Sequence, residues 1–193
     1  MNRKQQCTGL VLAGGAGRRV GGRDKGLMLH QGRALVALAV EQLASQVDRL
    51  LISCNRNRDQ YAEYGELAPA DLRPDFAGPL AGLEAAAGAI DAGYLLVVPC
   101  DNPKLPQDLG ERLLQPLRAP GSDREVCWAH DGRRDQYLYC ALRSDCLTTI
   151  GPFLDSGERA VRHWLAQRNG IAVDFSDRAG CFANLNTLTG ERP

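Results

Sequence analysis

The chain has 193 residues, 44% of them hydrophobic, with no break in composition and no long Ser/Pro/Gly linker, which suits one globular domain over residues 1–193 with a full-sized core. Lys plus Arg and Asp plus Glu each number 23, so the formal charge is zero and the basic excess of a non-specific nucleic-acid or membrane-surface binder is absent. The polar stretch Met1 to Gln6 and the apolar run that breaks at Gly14 are too short for a signal-peptide core or a membrane span, so a cytoplasmic location is expected.

Short apolar runs alternate with helical patterns along the chain. That alternation predicts strand-helix-strand units in an α/β, Rossmann-like domain, with a mostly parallel mixed sheet and helices on both faces. The first strand is predicted over residues 8–13, an Ala/Leu-rich helix over 34–46, and a second strand over 50–54, which Asn55-Arg56-Asn57 ends. A short helix near 59–64, a weak segment around Leu67 and a loop over 70–78 containing Asp71 and Asp75 lead to a helix over 79–90. Pro79 suits the first position of that helix because its missing N–H would be unpaired there anyway. Residues 94–98, Tyr-Leu-Leu-Val-Val, read as a strand buried on both faces, with Asp101 just past its carboxyl end. Then come a helix near 107–117, strands near 125–130 and 137–142, helices near 146–154 and 159–167, and a strand over 171–175 that leads to Asn184-Leu185-Asn186. Asp131-Gly132-Arg133 between the two late strands predicts an antiparallel hairpin.

The most informative stretch follows the first strand. Gly14, Gly15, Gly17, Gly21 and Gly22 leave the backbone open to a ligand, and successive N–H groups of such a loop can form an anion-binding nest. Amide dipoles contribute only about 0.3–1 kcal/mol each when exposed, so a triphosphate also needs the cations that Arg18, Arg19, Arg23 and Lys25 provide. A Walker loop would need Gly-Lys followed by Ser or Thr, and a dinucleotide fingerprint starting at Gly15 would need glycine at Val20; neither is present. The competing reading is a basic surface turn.

Seven cysteines, an odd number with no C-x-x-C pair, read as reduced small hydrophobes. His30, His130 and His163 lack zinc-ligand spacing. A metal here would be Mg²⁺, which takes one or two carboxylates plus substrate phosphates, and Asp101 at a strand end is the candidate ligand. Its alternative role is a helix cap or turn residue before Pro103. In open α/β sheets ligands bind beyond the carboxyl ends of the strands, which is where the glycine loop, Asn55 and Asp101 should meet. With no G-x-S-x-G, no Cys–His signature and no redox-cofactor motif, the reaction class indicated is nucleotidyl transfer.

Leu12-Ala13-Gly14-Gly15, Arg18-Arg19, Gly21-Gly22, Asp24-Lys25-Gly26, Gly78-Pro79-Leu80-Ala81-Gly82, Pro99-Cys100-Asp101, Gly157-Glu158-Arg159 and Phe182-Ala183-Asn184-Leu185-Asn186-Thr187 together resemble the molybdenum cofactor guanylyltransferases over nearly the whole chain. The resemblance implies a nucleotidyltransferase fold and transfer of GMP from Mg-GTP to the terminal phosphate of Mo-molybdopterin, with release of pyrophosphate. It implies contacts to the nucleotide from Leu12, Ala13, Gly14 and Gly15, to the phosphates from Arg19 and Lys25, and to Mg²⁺ from Asp101. Asn55 and Asp71 would lie on the guanosine side, and Arg159, Asn184 and Asn186 nearer the pterin. Ser53 stands where the family often has asparagine, so guanine contacts fall to Ser53 or Asn55; Asp135-Gln136-Tyr137 replaces a proline-containing segment. GTP and Mo-molybdopterin are the implied substrates, and molybdenum-insertion and molybdoenzyme chaperone proteins the wider partners. The rival readings are a cytidylyl- or sugar-phosphate nucleotidyltransferase and a non-catalytic nucleotide- or pterin-binding module.

Overall fold

The computed structural model describes residues 6–15, 22–73, 78–90 and 93–182. The chain opens with β1 (Cys7–Leu12) and a short ribbon of β2 (Leu29–His30) and β3 (Arg33–Ala34). Helix α1 (Leu35–Ala44), β4 (Arg49–Ser53), α2 (Arg58–Ala62), α3 (Pro79–Ala86) and β5 (Tyr94–Pro99) follow. The second half holds α4 (Leu109–Arg118), β6 (Val126–His130), β7 (Asp135–Arg143), α5 (Ile150–Asp155), α6 (Val161–Ala166) and β8 (Gly170–Asp174).

Six of these strands form one sheet in the order β4-β1-β5-β7-β6-β8. β1 pairs parallel with β4 and β5, and β6 pairs parallel with β8, whereas β7 runs antiparallel to both of its neighbours, β5 and β6. The sheet is thus mixed and mostly parallel, as the sequence predicts, and the hairpin around Asp131-Gly132-Arg133 is the source of the reversed strand.

Both faces are covered, and the central strands show why their sequences are apolar throughout. Side chains alternate at a period of two. Leu10, Leu95 and Val97 pack on one face with Leu80 and Leu83 of α3, Phe153 of α5 and Trp164 of α6. Val11, Leu96 and Val98 face the other side, against Val36, Ala39 and Leu43 of α1 and Leu109 and Leu113 of α4. Each fully buried Leu or Val contributes about 1.5–3 kcal/mol relative to exposure.

The structure departs from the expected elements in local ways. The β2–β3 ribbon lies in a stretch with no predicted strand. Its turn places Gln31 and Gly32 at φ 51° and 78°, the pair of left-handed residues that suits a two-residue hairpin. Because Ala34 pairs with Leu29 in that ribbon, α1 starts at Leu35. The helix expected over 79–90 is α-helical to Ala86 and finishes as a 3₁₀ turn over Ala87–Ala89. The helix expected over 146–154 is likewise split into a 3₁₀ segment, Ser144–Thr149, and α5. Leu67 forms a lone parallel bridge with Ile52. Among the described residues no helix is long and apolar enough to cross a membrane.

Leu96→Ala, at the buried centre of β5, is expected to lower the unfolding free energy by about 2–5 kcal/mol. Ile171→Ala, on the exposed face of edge strand β8, should change it by no more than about 0.5 kcal/mol; urea titration of the two variants checks the contrast.

Candidate active site

The carboxyl ends of β4, β1 and β5 are stitched together where their ladders run out. Ala13 donates its backbone N–H to the Ser53 carbonyl at 2.8 Å, and Cys100 donates to the Leu12 carbonyl at 3.1 Å. Beyond these bonds the strands diverge around a cleft of about 350 Å³. Its wall comprises Leu12, Ala13, Gly14 and Gly15 from the β1 exit, Ser53 from β4, and Pro99, Cys100 and Asp101 from the β5 exit. Asp71 and Lys25 complete the polar lining, and Leu138 closes the β7 side.

Helix α3 brings its N-terminus to this wall through Gly78, Pro79 and Gly82. Gly78 sits at φ 91°, a conformation that glycine adopts freely. Gly82 allows close approach, since a Cβ there would lie 2.6 Å from Ser53 Oγ and 3.4 Å from Leu12 Cδ2. The orphan N–H groups of a helix start favour an anion, so this end of the cleft is suited to negative charge.

Lys25 sits on a 3₁₀ turn, Lys25–Leu27, that folds back onto the strand ends. Its Nζ donates to Asp101 Oδ2 at 2.7 Å, and both side chains retain 22% exposure. Gly26 makes this approach possible, because any Cβ there would collide with the Tyr61 hydroxyl and crowd Cys100 Sγ. Burial, followed by the nearby Asp101 charge, pushes the Cys100 thiol up to about 12, so it stays protonated at neutral pH.

Asp71 is held through one carboxylate oxygen and, among the described residues, unpaired at the other. Asn55 Nδ2 donates to Asp71 Oδ2 at 2.6 Å, and the Asp71 backbone N–H donates to Asn55 Oδ1 at 3.1 Å. Asp71 Oδ1 is buried with no hydrogen-bond partner among the described residues. Burial raises the carboxyl above its ordinary value near 3.8; the Asn55 hydrogen bond opposes the rise and Glu84 adds to it. Two residues on, Arg73 reaches Glu84 at 2.6 and 2.7 Å and Asp155 at 2.8 Å, which ties this loop to α3 and α5.

Leu12, Ala13, Gly14, Gly15, Lys25, Ser53, Asp71 and Asp101 therefore converge on one cleft. Asn55 stands behind the wall, bonded to Asp71 and lying 3.3 Å from where a Cβ of Gly14 would be. Arg159 is apart from the lining: it lies between α5 and α6 and donates to the carbonyls of Leu154 and Glu158, both at 2.6 Å. Arg18, Arg19, Asp75, Asn184 and Asn186 lie outside the described residues.

Some wall residues carried no site role in the sequence reading. The spacing of Gly78 and Gly82 was the available signal for the α3 wall. Leu138 had none, since it reaches the cleft through a register shift. Across Trp128 and Ala129 of β6, the β7 partners jump from Cys140 to Gln136, so residues 137–139 bulge out of the ladder. Bulges beside active sites commonly re-aim a side chain in this way.

A mostly parallel sheet whose strand ends carry a glycine turn, a lysine, carboxylates and a helix N-terminus around one cleft defines a nucleotidyltransferase. The sequence pattern of the MobA-like NTP transferase domain matches residues 9–171. Molybdenum cofactor guanylyltransferases from Shewanella sediminis and Shewanella halifaxensis are 42% and 41% identical to the chain, each over 94% of it and over 92% and 90% of their own lengths. The chain belongs to the molybdenum cofactor guanylyltransferase family. The fold is shared with molybdopterin-guanine dinucleotide biosynthesis protein A from Archaeoglobus fulgidus, with a TM-score of 0.72 at 19% identity, covering 94% of this chain and 87% of that one.

A carboxyl whose folded pKa is raised contributes its full share of stability below about 3.8 and loses it as pH rises through the folded value. Asp71→Asn is therefore expected to match wild type in thermal stability at low pH and to exceed it increasingly toward neutrality. Unfolding curves of both proteins across that range measure the difference, and a gap that shrinks as pH rises would contradict the assignment.

Proposed function

We propose that the chain transfers GMP from GTP to the terminal phosphate of Mo-molybdopterin and releases pyrophosphate. The observation that carries this reading is the order of groups along one cleft. Ser53 and Asp71 lie toward β4 and α3, the Lys25–Asp101 pair lies by the β1 and β5 exits, and Leu138 closes the β7 side. That order suits a nucleoside triphosphate with its base toward Asp71 and an acceptor phosphate arriving from the β7 side. The guanylyl specificity named for the Shewanella relatives supports the same donor.

In this reaction an oxygen of the acceptor phosphate attacks the α-phosphorus of GTP. A new P–O bond forms, the bond from the α-phosphorus to the bridging oxygen breaks, and the electron pair leaves with pyrophosphate. The nucleophile is already anionic, so the protein needs neither a base nor a covalent nucleophile, and the protonated Cys100 thiol takes no part. What remains is alignment and charge. Lys25 shifts from Asp101 toward the departing phosphates, and Arg19, by the family resemblance, joins it. The glycine amides at the β1 exit receive phosphate oxygens. Asp71 accepts hydrogen bonds from the N1–H and N2–H of guanine, two adjacent donors that cytosine and adenine do not present, while Asn55 and Ser53 hold that side. By the family resemblance Asn184 and Asn186 serve the pterin, and Arg159, which stands apart from the cleft lining, meets it from beyond that wall.

The donor set also fits Mg²⁺. Asp101 offers hard carboxylate oxygen at the cleft wall, the ligand type that Mg²⁺ shares with substrate phosphates and water. Among the described residues no cluster of three His, Cys, Asp or Glu exists to favour an ion held wholly by protein. When bound, Mg²⁺ would be held by Asp101 with phosphate oxygens and would neutralise triphosphate charge.

Calorimetry with GTP, ATP, CTP and dTTP, with and without Mg²⁺, is expected to show preferential binding of GTP. Pyrophosphate release in the presence of Mo-molybdopterin should then fall by on the order of 10²–10³ in Lys25→Ala. Preference for CTP or dTTP would reassign the donor and overturn the reading.

A further inference from the structure

One strongly bonded cation beside the cleft has no part in the chemistry above. Arg56 leaves β4 three residues after Ser53 and turns its guanidinium toward the glycine-rich segment. One terminal nitrogen donates to the Gly22 carbonyl at 2.8 Å. The other donates to the carbonyls of Arg23 at 3.0 Å and Gly15 at 3.3 Å. One side chain thus grips the chain both at Gly15, in the cleft wall, and just ahead of Lys25.

The counter-charge is built in. Asp24 Oδ2 lies 3.4 Å from Arg56 Nε, and the Asp24 side chain is only 6% exposed. The same carboxylate accepts from the Tyr61 hydroxyl at 2.5 Å and from Asn57 Nδ2 at 2.9 Å. Asp24 immediately precedes Lys25, so the β4-to-α2 segment holds the backbone that presents the lysine, while Lys25 itself points to Asp101 at the β5 exit.

We infer that Arg56 is a positioning residue: its planar fork clamps both flanks of the glycine loop and so sets where Lys25 stands when charge builds on the departing pyrophosphate. This rests on the nucleotidyl-transfer reading above. Glycine backbone loses the most conformational freedom on being fixed, and holding Gly15 and Gly22 before the substrate arrives removes that cost from catalysis. The guanidinium does not act as a phosphate ligand. Both terminal nitrogens donate to carbonyls, Asp24 balances its charge, and it does not line the cleft. Lysine cannot replace it, because an ammonium lacks the rigid fork that spans separated acceptors.

The test is a double-mutant cycle on the full chain with Arg56→Ala, Lys25→Ala and the double variant, with Arg56→Lys as a second probe that keeps the pair with Asp24. Turnover is followed by pyrophosphate release, using whichever nucleoside triphosphate the wild type consumes. The wild-type nucleotide preference thus judges the guanylyl reading, and the cycle judges Arg56. Arg56→Ala is expected to lower kcat by about 10- to 100-fold while changing the nucleotide KM less than about threefold. In the Lys25→Ala background the same substitution should cost less than about threefold, because the group it positions is gone. Added guanidinium should restore part of the turnover of Arg56→Ala and none in the double variant, and Arg56→Lys should remain impaired. Should Arg56→Ala fail to fold, Arg56→Lys carries the same cycle. Equal losses in both backgrounds, a loss confined to KM, or full activity of Arg56→Lys would each overturn the inference.

Discussion

The parallel pairing of β1 between β4 and β5 is the constraint on which the rest depends. Inside the sheet every backbone donor and acceptor of these strands can find a neighbour, and a buried group left without one would cost about 1–3 kcal/mol. At the carboxyl ends the last bonds, Ala13 to Ser53 and Cys100 to Leu12, hold three strand exits in fixed relation. Each chain then departs in its own direction, and the space between the departures is the cleft. Parallel strands make this geometry repeatable, since their carboxyl ends all lie at one edge. Layers packed on both faces bury all of β1 but Leu12 and all of β5 but Tyr94, and leave that edge as the place where polar groups can gather.

Charge at that edge is paired in advance. Lys25 meets Asp101, Arg56 meets Asp24, and Arg73 meets Glu84 and Asp155. Partly exposed pairs of this kind contribute at most about 1 kcal/mol each to stability, so their main consequence is geometric. The Arg73 pairs join a loop to α3 and α5, and the other two join segments that leave neighbouring strands. The Lys25–Asp101 pair stands apart because both members face the cleft, where an incoming polyphosphate competes for the lysine. The Arg56 and Arg73 pairs instead brace the two loops that carry Lys25 and Asp71.

Much of this was legible in the residues. Apolar alternation in residues 94–98, the Ala/Leu pattern before β4 and the glycine punctuation after β1 located the central strands and the edge where the site lies, because period and turn chemistry are local properties. The split helices were less legible, since the choice between α and 3₁₀ in a short stretch depends on what packs against it. The β2–β3 ribbon was missed for a related reason: two residues per strand are too few to show alternation, and the Gln31-Gly32 turn is a weak signal by itself.

The cleft divides in the same way. By its own pattern the sequence determined an α/β domain with a glycine-rich, basic turn after its first strand, a carboxylate closing a buried strand, and a motif set that places the chain in its family. Only the tertiary structure decided that Asn55 braces Asp71, that Gly82 lets α3 press against Ser53, that a bulge turns Leu138 into the wall, and that Arg56 spans the flanks of the glycine loop. Each of these joins residues far apart in the chain, with Leu138 more than a hundred positions from Gly15. Contacts at such separations are set by strand order and register, which no local window of sequence contains.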